Sequence, residues 1–188
     1  MSARRAEAVR PGDEGVPART PASPPGTPAD PAGIRRSAGR DLDAATLHAV
    51  LRLRSDVFVV EQACPYPDVD GQDLAPGTEH VWHVGDGAVR PGELVAVAAA
   101  LRVLREPGGS AAPRRVGRVV TAATARGQGL SSVLMTDVVE RHGHVDLVLD
   151  AQAHLEHWYA RFGLERVGEE YLEDGIPHVP MRRRGRPG

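Results

Sequence analysis

The chain contains no lysine, and all 23 of its basic residues are arginines. No physical requirement would bar lysine from every surface position, so the pattern reads as a GC-rich coding bias. It also excludes one class of site. A mononucleotide P-loop needs Gly-Lys-Ser/Thr, because that lysine reaches the phosphates. A basic excess is missing as well: the formal net charge is −2, which argues against general nucleic-acid binding. Cys64 is the single cysteine, which excludes an intramolecular disulfide and fits a reducing compartment. No apolar run approaches the roughly 20 residues of a membrane span, and no apolar h-region follows the N-terminal arginines. The expectation is a soluble, cytoplasmic protein with no membrane or nucleic-acid partner.

What is present is enough apolar sequence, 41% of 188 residues, to build one domain with a core. Residues 1–33 are Pro, Ala, Gly, Arg and Ser with almost no large apolar side chain. Such a segment cannot bury enough surface to offset chain entropy, so it reads as a disordered tail. The folded domain is expected over 34–184, with 185–188 as a short C-terminal tail. Asp43 caps a predicted helix in which Leu47, Val50, Leu51, Arg54 and Phe58 recur at helical spacing. Strands are predicted at Glu79 to Val84, Glu93 to Arg105 and Val116 to Thr121. A helix over 128–142, a short strand from Val145 to Leu149 and a helix from His154 to Phe162 follow, the last closed by Gly163. Leu164 to Tyr171 and Val179 to Arg183 read as two final strands around Asp174-Gly175. This order specifies an α/β fold with a mixed sheet.

The most informative stretch runs from Gly117 to Met135: strand, glycine-bearing loop, amphipathic helix. A glycine-rich loop at a helix start exposes unpaired N–H groups at the positive end of the helix dipole, which suits a phosphate or pyrophosphate. A dinucleotide fingerprint requires G-x-G-x-x-G in a first βαβ unit, but position 132 is Ser and the loop lies in the C-terminal half. What remains is Arg126-Gly127-Gln128-Gly129-Leu130-Ser131, an Arg-x-x-Gly-x-small pattern after a strand. An ordinary glycine-rich strand–helix connection is the alternative.

This loop resembles the pyrophosphate loop of the GNAT acyltransferases, with Ser131 at the usual Gly/Ala position. Leu53 to Gln62, Cys64 to Gly71, Ala151 to Leu155, Trp158 to Gly163 and Glu173 to His178 resemble the ElaA-like branch of that superfamily, from about Asp41 to Arg183. The first strand of that fold, near Ile34 to Gly39, is expected to be poorly formed. The resemblance implies a GNAT fold and an N-acetyltransferase that moves an acetyl group from acetyl-CoA to a primary amine by direct attack in a ternary complex. It places pantetheine between two parallel strands splayed by a bulge. Val119, Val120 and Thr121 would supply main-chain contacts, and the N–H groups from Gly127 through Gln128, Gly129 and Leu130 to Ser131 would hold the pyrophosphate beside Arg126. Gln152 would also touch the cofactor.

The resemblance makes Tyr159 the proton donor to the leaving thiolate; a core aromatic on an amphipathic helix is the bland alternative. The Val120 N–H is the candidate oxyanion donor. Something must accept the proton of the attacking amine. Glu61 ranks first for that role, against a solvated helix-end glutamate, while His80 and His178 are imidazoles suited to it. Asp68, Asp70, Asp73, Glu173 and Asp174 read either as a patch for a cationic amine or as a solvated acidic surface. Cys64 reads as a buried small hydrophobe, and the histidine spacings complete no metal pattern. A small-molecule or peptide amine is the implied acceptor, and a homodimer the implied assembly. A non-catalytic acyl-CoA-binding module and an enzyme like the acyl-homoserine-lactone synthases are the alternatives.

Overall fold

The computed structural model describes residues 33–85 and 95–186. The tail expected over 1–33, Gly33 apart, the start of the strand expected from Glu93 and the last two residues of the C-terminal tail lie outside them. The elements are β1 (Ile34–Ala38), α1 (Ala44–Arg54), β2 (Glu79–Val84), β3 (Val97–Arg105), β4 (Arg114–Thr121), α2 (Leu130–His142), β5 (Leu147–Gln152), α3 (Glu156–Ala160), β6 (Glu165–Arg166), β7 (Tyr171–Glu173) and β8 (Ile176–Arg183). They form one eight-stranded sheet in the order β1-β2-β3-β4-β5-β8-β6, with β7 also on β8. All pairings are antiparallel except β4 with β5.

Both faces of this sheet are covered, as a central mixed sheet requires. On one face Leu134, Met135 and Val138 of α2 pack against Val81, Leu101, Val103, Leu147 and Leu149, all buried. On the other, Val50 and Leu53 of α1 pack against Trp82, Ala98, Ala100 and Val120. Asp43 caps α1 as expected: its carboxylate accepts from the Thr46 N–H at 2.9 Å and from the Thr46 hydroxyl at 2.7 Å. Such a cap contributes about 1 kcal/mol.

Three expectations are corrected. β1 is well formed, although Ile34 is its one large apolar residue. Arg36, two residues on and so on the same face, instead pairs with Asp137 of α2, its Nε donating to Oδ2 at 2.8 Å. The helix expected to run on to Phe58 changes character after Arg54. Residues Ser55–Glu61 form a wider π turn, in which the Gln62 N–H donates to the Val57 carbonyl at 3.0 Å. The strand expected over Leu164 to Tyr171 breaks into β6 and β7. Their shared partner β8 carries Pro177 and Pro180, which have no N–H for the ladder.

The carboxylates of the acidic loop after α1 are already paired within the protein, those of Asp68 and Asp73 buried and that of Asp70 20% exposed. Asp68, Asp70 and Asp73 close onto Arg54 (α1), Arg102 (β3) and Arg118 (β4). Arg54, with its side chain 1% exposed, donates to Asp68 Oδ2 at 2.9 Å, Asp73 Oδ1 at 2.6 Å and the Asp68 carbonyl at 2.6 Å. Arg102 forks onto Asp70, with bonds of 2.7 and 2.6 Å. Gly39 sits under the loop because a Cβ there would stand 2.0 Å from the Asp73 carbonyl oxygen.

Arg54→Met leaves the buried cluster one positive charge short of its three carboxylates and should cost about 3–5 kcal/mol, read as a lowered urea midpoint. The Arg102 hydrogen bonds hold the Asp70 carboxyl well below the usual carboxylate range. With a depressed folded-state pKa, that stabilisation is complete above the unfolded value of about 3.9 and is lost as pH falls below it. Urea midpoints from pH 7 to 3 should therefore drop below about pH 4, and Asp70→Asn should flatten part of the drop.

Candidate active site

β4 and β5 pair only at Arg114 with Leu147 and Arg115 with Val148, then diverge. The cause lies in β4. Ala100 faces Val120 and Arg102 faces Gly117, so Leu101 alone opposes both Arg118 and Val119. This is a β-bulge, with Arg118 in the left-handed region at φ 53°. The extra residue reverses the strand's facing: Val116 joins the α2 face of the core and Val120 the α1 face. A cavity of about 760 Å³ opens along the divergence. Val119, Gln152, Tyr159 and His178 line it, with Phe58, Gln62 and Cys64 from the end of α1 and beyond.

The loop at the head of α2 has the geometry expected of it. Gly127 and Gly129 adopt φ 78° and 76°, which L side chains rarely take. The space a side chain would enter at either position is empty to 4 Å. The N–H groups of Gly127, Gln128, Gly129, Leu130 and Ser131 have no acceptor among the described residues. They stand at the positive end of a 13-residue helix. Ser131 has a function that its sequence position did not reveal: its hydroxyl is 2.5 Å from that of Thr121, tying the end of β4 to the first turn of α2.

Backbone alternation reassigns Val120. The Ala122 N–H donates to the Ala98 carbonyl at 2.8 Å. Hydrogen-bonded pairs recur at every second position of an antiparallel ladder, so Ala100 and Val120 form the next one. The Val120 N–H is thereby turned to β3, away from the gap, while Thr121 keeps its N–H on the edge facing β5.

Tyr159 is 7% exposed, and its ring meets Trp158 edge to face at 4.7 Å. Its hydroxyl makes no hydrogen bond among the described residues, and burial raises its pKa. The phenol therefore keeps its proton near neutral pH. Gln152 lines the cavity and donates to Gln62 Oε1 at 3.2 Å. Leu130 packs against both core clusters.

Glu61 lies elsewhere. Its side chain is 45% exposed, it does not line the cavity, and its carboxylate accepts from Arg126 Nη2 at 2.7 Å. That bond lowers the Glu61 pKa, so the group is held as an anion by the loop arginine. His80 is enclosed at 1% exposure, with Nε2 3.0 Å from the Asp73 carbonyl, and burial lowers its pKa. His178 alone of the three proposed bases lines the cavity. Among the described residues, no three His, Cys, Asp or Glu side chains gather as a metal site requires. Two residues that sequence reasoning passed over, Arg118 and Gln62, shape the cavity. The three arginines that meet the acidic loop share one signal, strong positive charge at positions whose spacing calls for core.

Comparison with known proteins agrees with this geometry. Residues 87–184 match the model of the acetyltransferase (GNAT) domain. A UPF0039 protein of Mycobacterium tuberculosis is 45% identical over 153 residues, covering 81% of this chain and 93% of that protein. Protein ElaA of Escherichia coli is 40% identical over 149 residues, covering 76% and 90%. Among solved structures, an acyl-CoA N-acyltransferase from Pseudomonas aeruginosa superposes with a TM-score of 0.70 at 41% identity, covering 80% of this chain and 97% of that one. E. coli ElaA gives the same TM-score and coverage at 34% identity. The chain belongs to the GNAT acetyltransferase family, on its ElaA-like branch.

Proposed function

We propose that the protein transfers an acetyl group from acetyl-CoA to a primary amine by direct attack in a ternary complex. The observations that carry this reading are the gap between β4 and β5, opened by the Arg118 bulge, and the loop after β4, whose N–H groups from Gly127 to Ser131 have no acceptor among the described residues. A pantetheine chain would lie along the gap as an extra strand, against the Thr121 backbone and beside Val119 and Gln152. The loop N–H groups and Arg126 would take the pyrophosphate, the arginine exchanging Glu61 for phosphate oxygens.

Acyl transfer makes two further demands on the chain. The thioester oxygen gains negative charge as the amine adds, and a fixed donor stabilises it. With the Val120 N–H turned to β3, we assign that donor to the Val119 N–H at the bulge. The departing thiolate then needs a proton, and Tyr159 holds one on the cavity wall. Cys64 lines the cavity but has no part in direct transfer. Glu61 is assigned to holding Arg126 over the loop.

Calorimetric titration of the full chain with acetyl-CoA, CoA and NADH tests the cofactor class. Micromolar binding of the first two and none of the third is expected; an absence of all three would remove the reading. Tyr159→Phe should lower turnover by about 10²-fold while leaving acetyl-CoA affinity nearly unchanged, as steady-state rates beside calorimetry would show. Gly129→Glu should abolish binding, because it forces a side chain into φ 76° and sets a carboxylate against the pyrophosphate. Retained binding in that variant would misplace the loop.

A further inference from the structure

We propose that His178 is the base that takes the proton from the acceptor amine. This assignment rests on the acyl-transfer reading of the cavity. His178 stands on β8 opposite Gln152 of β5, where the sheet borders the gap, and both side chains line the cavity with Tyr159. Its Nδ1 is 2.9 Å from the Ile176 carbonyl. A carbonyl only accepts, so Nδ1 carries the hydrogen of that bond. In the neutral ring the lone pair is then on Nε2, which has no partner among the described residues. The bond also limits ring rotation, as does Tyr171, whose ring centroid lies 6.1 Å away.

The other candidate bases of the cavity are committed. Asp70 is gripped by Arg102, and Glu106 and Asp150 both accept from Arg115. Glu173 and Asp174 are exposed at the β7–β8 turn, where water solvates them. Outside the cavity, Glu61 is tied to Arg126 and His80 is sealed in the core. The ionisable groups around His178 are Asp150 from β5, Tyr171 and Glu173 from β7, Asp174 from the turn, and His154 from the turn packed on β8.

The step balances. His178 Nε2 takes a proton from the protonated acceptor nitrogen, whose freed lone pair forms the C–N bond to the acetyl carbon, and the second proton that this nitrogen sheds as the tetrahedral intermediate collapses passes to water. The C–S bond breaks, and the thiolate takes the Tyr159 proton. Exchange with solvent removes the proton from His178 and returns one to Tyr159. From a protonated amine the products are the acetamide, CoA thiol and one proton.

The test follows thiol release from acetyl-CoA from pH 5.5 to 9.5, with spermidine and a peptide bearing a free N-terminus as acceptors. Wild-type kcat/KM for the amine should fall on the acid side through the protonation of one group. In His178→Gln it should drop about 10²-fold near neutrality, lose that limb and recover toward high pH as the free amine itself becomes neutral. Acetyl-CoA affinity and urea midpoint should stay at wild-type values, which separates lost chemistry from lost fold. Thiol release by water alone should drop as well, giving a readout when neither amine is accepted. The limb should persist in Glu61→Gln. Wild-type rates and profile in His178→Gln, or a limb that disappears with Glu61 instead, would overturn the assignment while leaving acetyl transfer intact. A wild-type chain that binds no acetyl-CoA would instead remove the reading beneath it.

Discussion

Arg118 holds the architecture of the cavity. A residue with a Cβ in the left-handed region costs on the order of 1–3 kcal/mol and persists only where its surroundings over-determine it. Here they do. The guanidinium lies 5.3 Å over the Tyr66 ring, its Nε stands 2.9 Å from Asp68 Oδ1, and Nη2 donates to Asp70 at 3.2 Å. Fixing that side chain fixes the bulge. The bulge ends the β3–β4 register, reverses the facing of β4 and turns the strand from β5 after two paired positions. Without it, β4 and β5 would continue as a parallel pair and fill the gap with their own hydrogen bonds.

The same ion network explains why the loop after α1 is ordered. Three guanidinium groups meet three carboxylates, so the cluster is neutral, and burial keeps His80 beside it uncharged. Neutrality matters because an uncompensated buried charge costs several kcal/mol. The cluster is not fully satisfied: Asp73 Oδ2, Arg102 Nε, Arg118 Nε and His80 Nδ1 have no hydrogen-bond partner among the described residues. A well-packed apolar replacement would be comparably stable. What charge adds is geometry, since forked guanidinium–carboxylate pairs fix both partners in plane. One wall of the cavity, with Tyr66, Asp70 and Arg118, is therefore set by electrostatics and not by packing.

This division accounts for what could be read from the sequence. Strand β2 was legible to the residue, because Glu79 to Val84 is bounded by turn residues and apolar within. The glycine loop was legible too, since φ near +77° at Gly127 and Gly129 leaves a compositional trace. Membership of the family was carried by motifs spread over the whole domain. The fate of Asp68, Asp70 and Asp73 was not legible, because their partners lie 14 to 50 residues away and pairing depends on tertiary placement. β1 was undervalued for a related reason: an arginine on its core-facing side reads as solvent until Asp137 is brought to it. The place of Glu61 was not legible either. The π turn after Arg54 shifts the angular position of every later side chain, carrying Glu61 to Arg126 and Gln62 to the cavity.

That shift places two adjacent residues on opposite rims of the gap. Glu61 reaches Arg126 beside the loop, and Gln62 accepts from Gln152 at the end of β5. Neither contact is strong. The ion pair is exposed and screened by solvent, and a neutral hydrogen bond contributes about 1 kcal/mol. Both sit on groups that a bound pantetheine and pyrophosphate would address directly, so each is exchanged at little cost when the cosubstrate enters. Their effect is to hold Arg126 and Gln152 at the rims in the empty protein, so that less side-chain freedom remains to be lost on binding. The strong, buried pairs around Arg118 keep the gap open, and the weak, exposed pairs at its rims hold Arg126 and Gln152, the groups proposed to meet the cosubstrate.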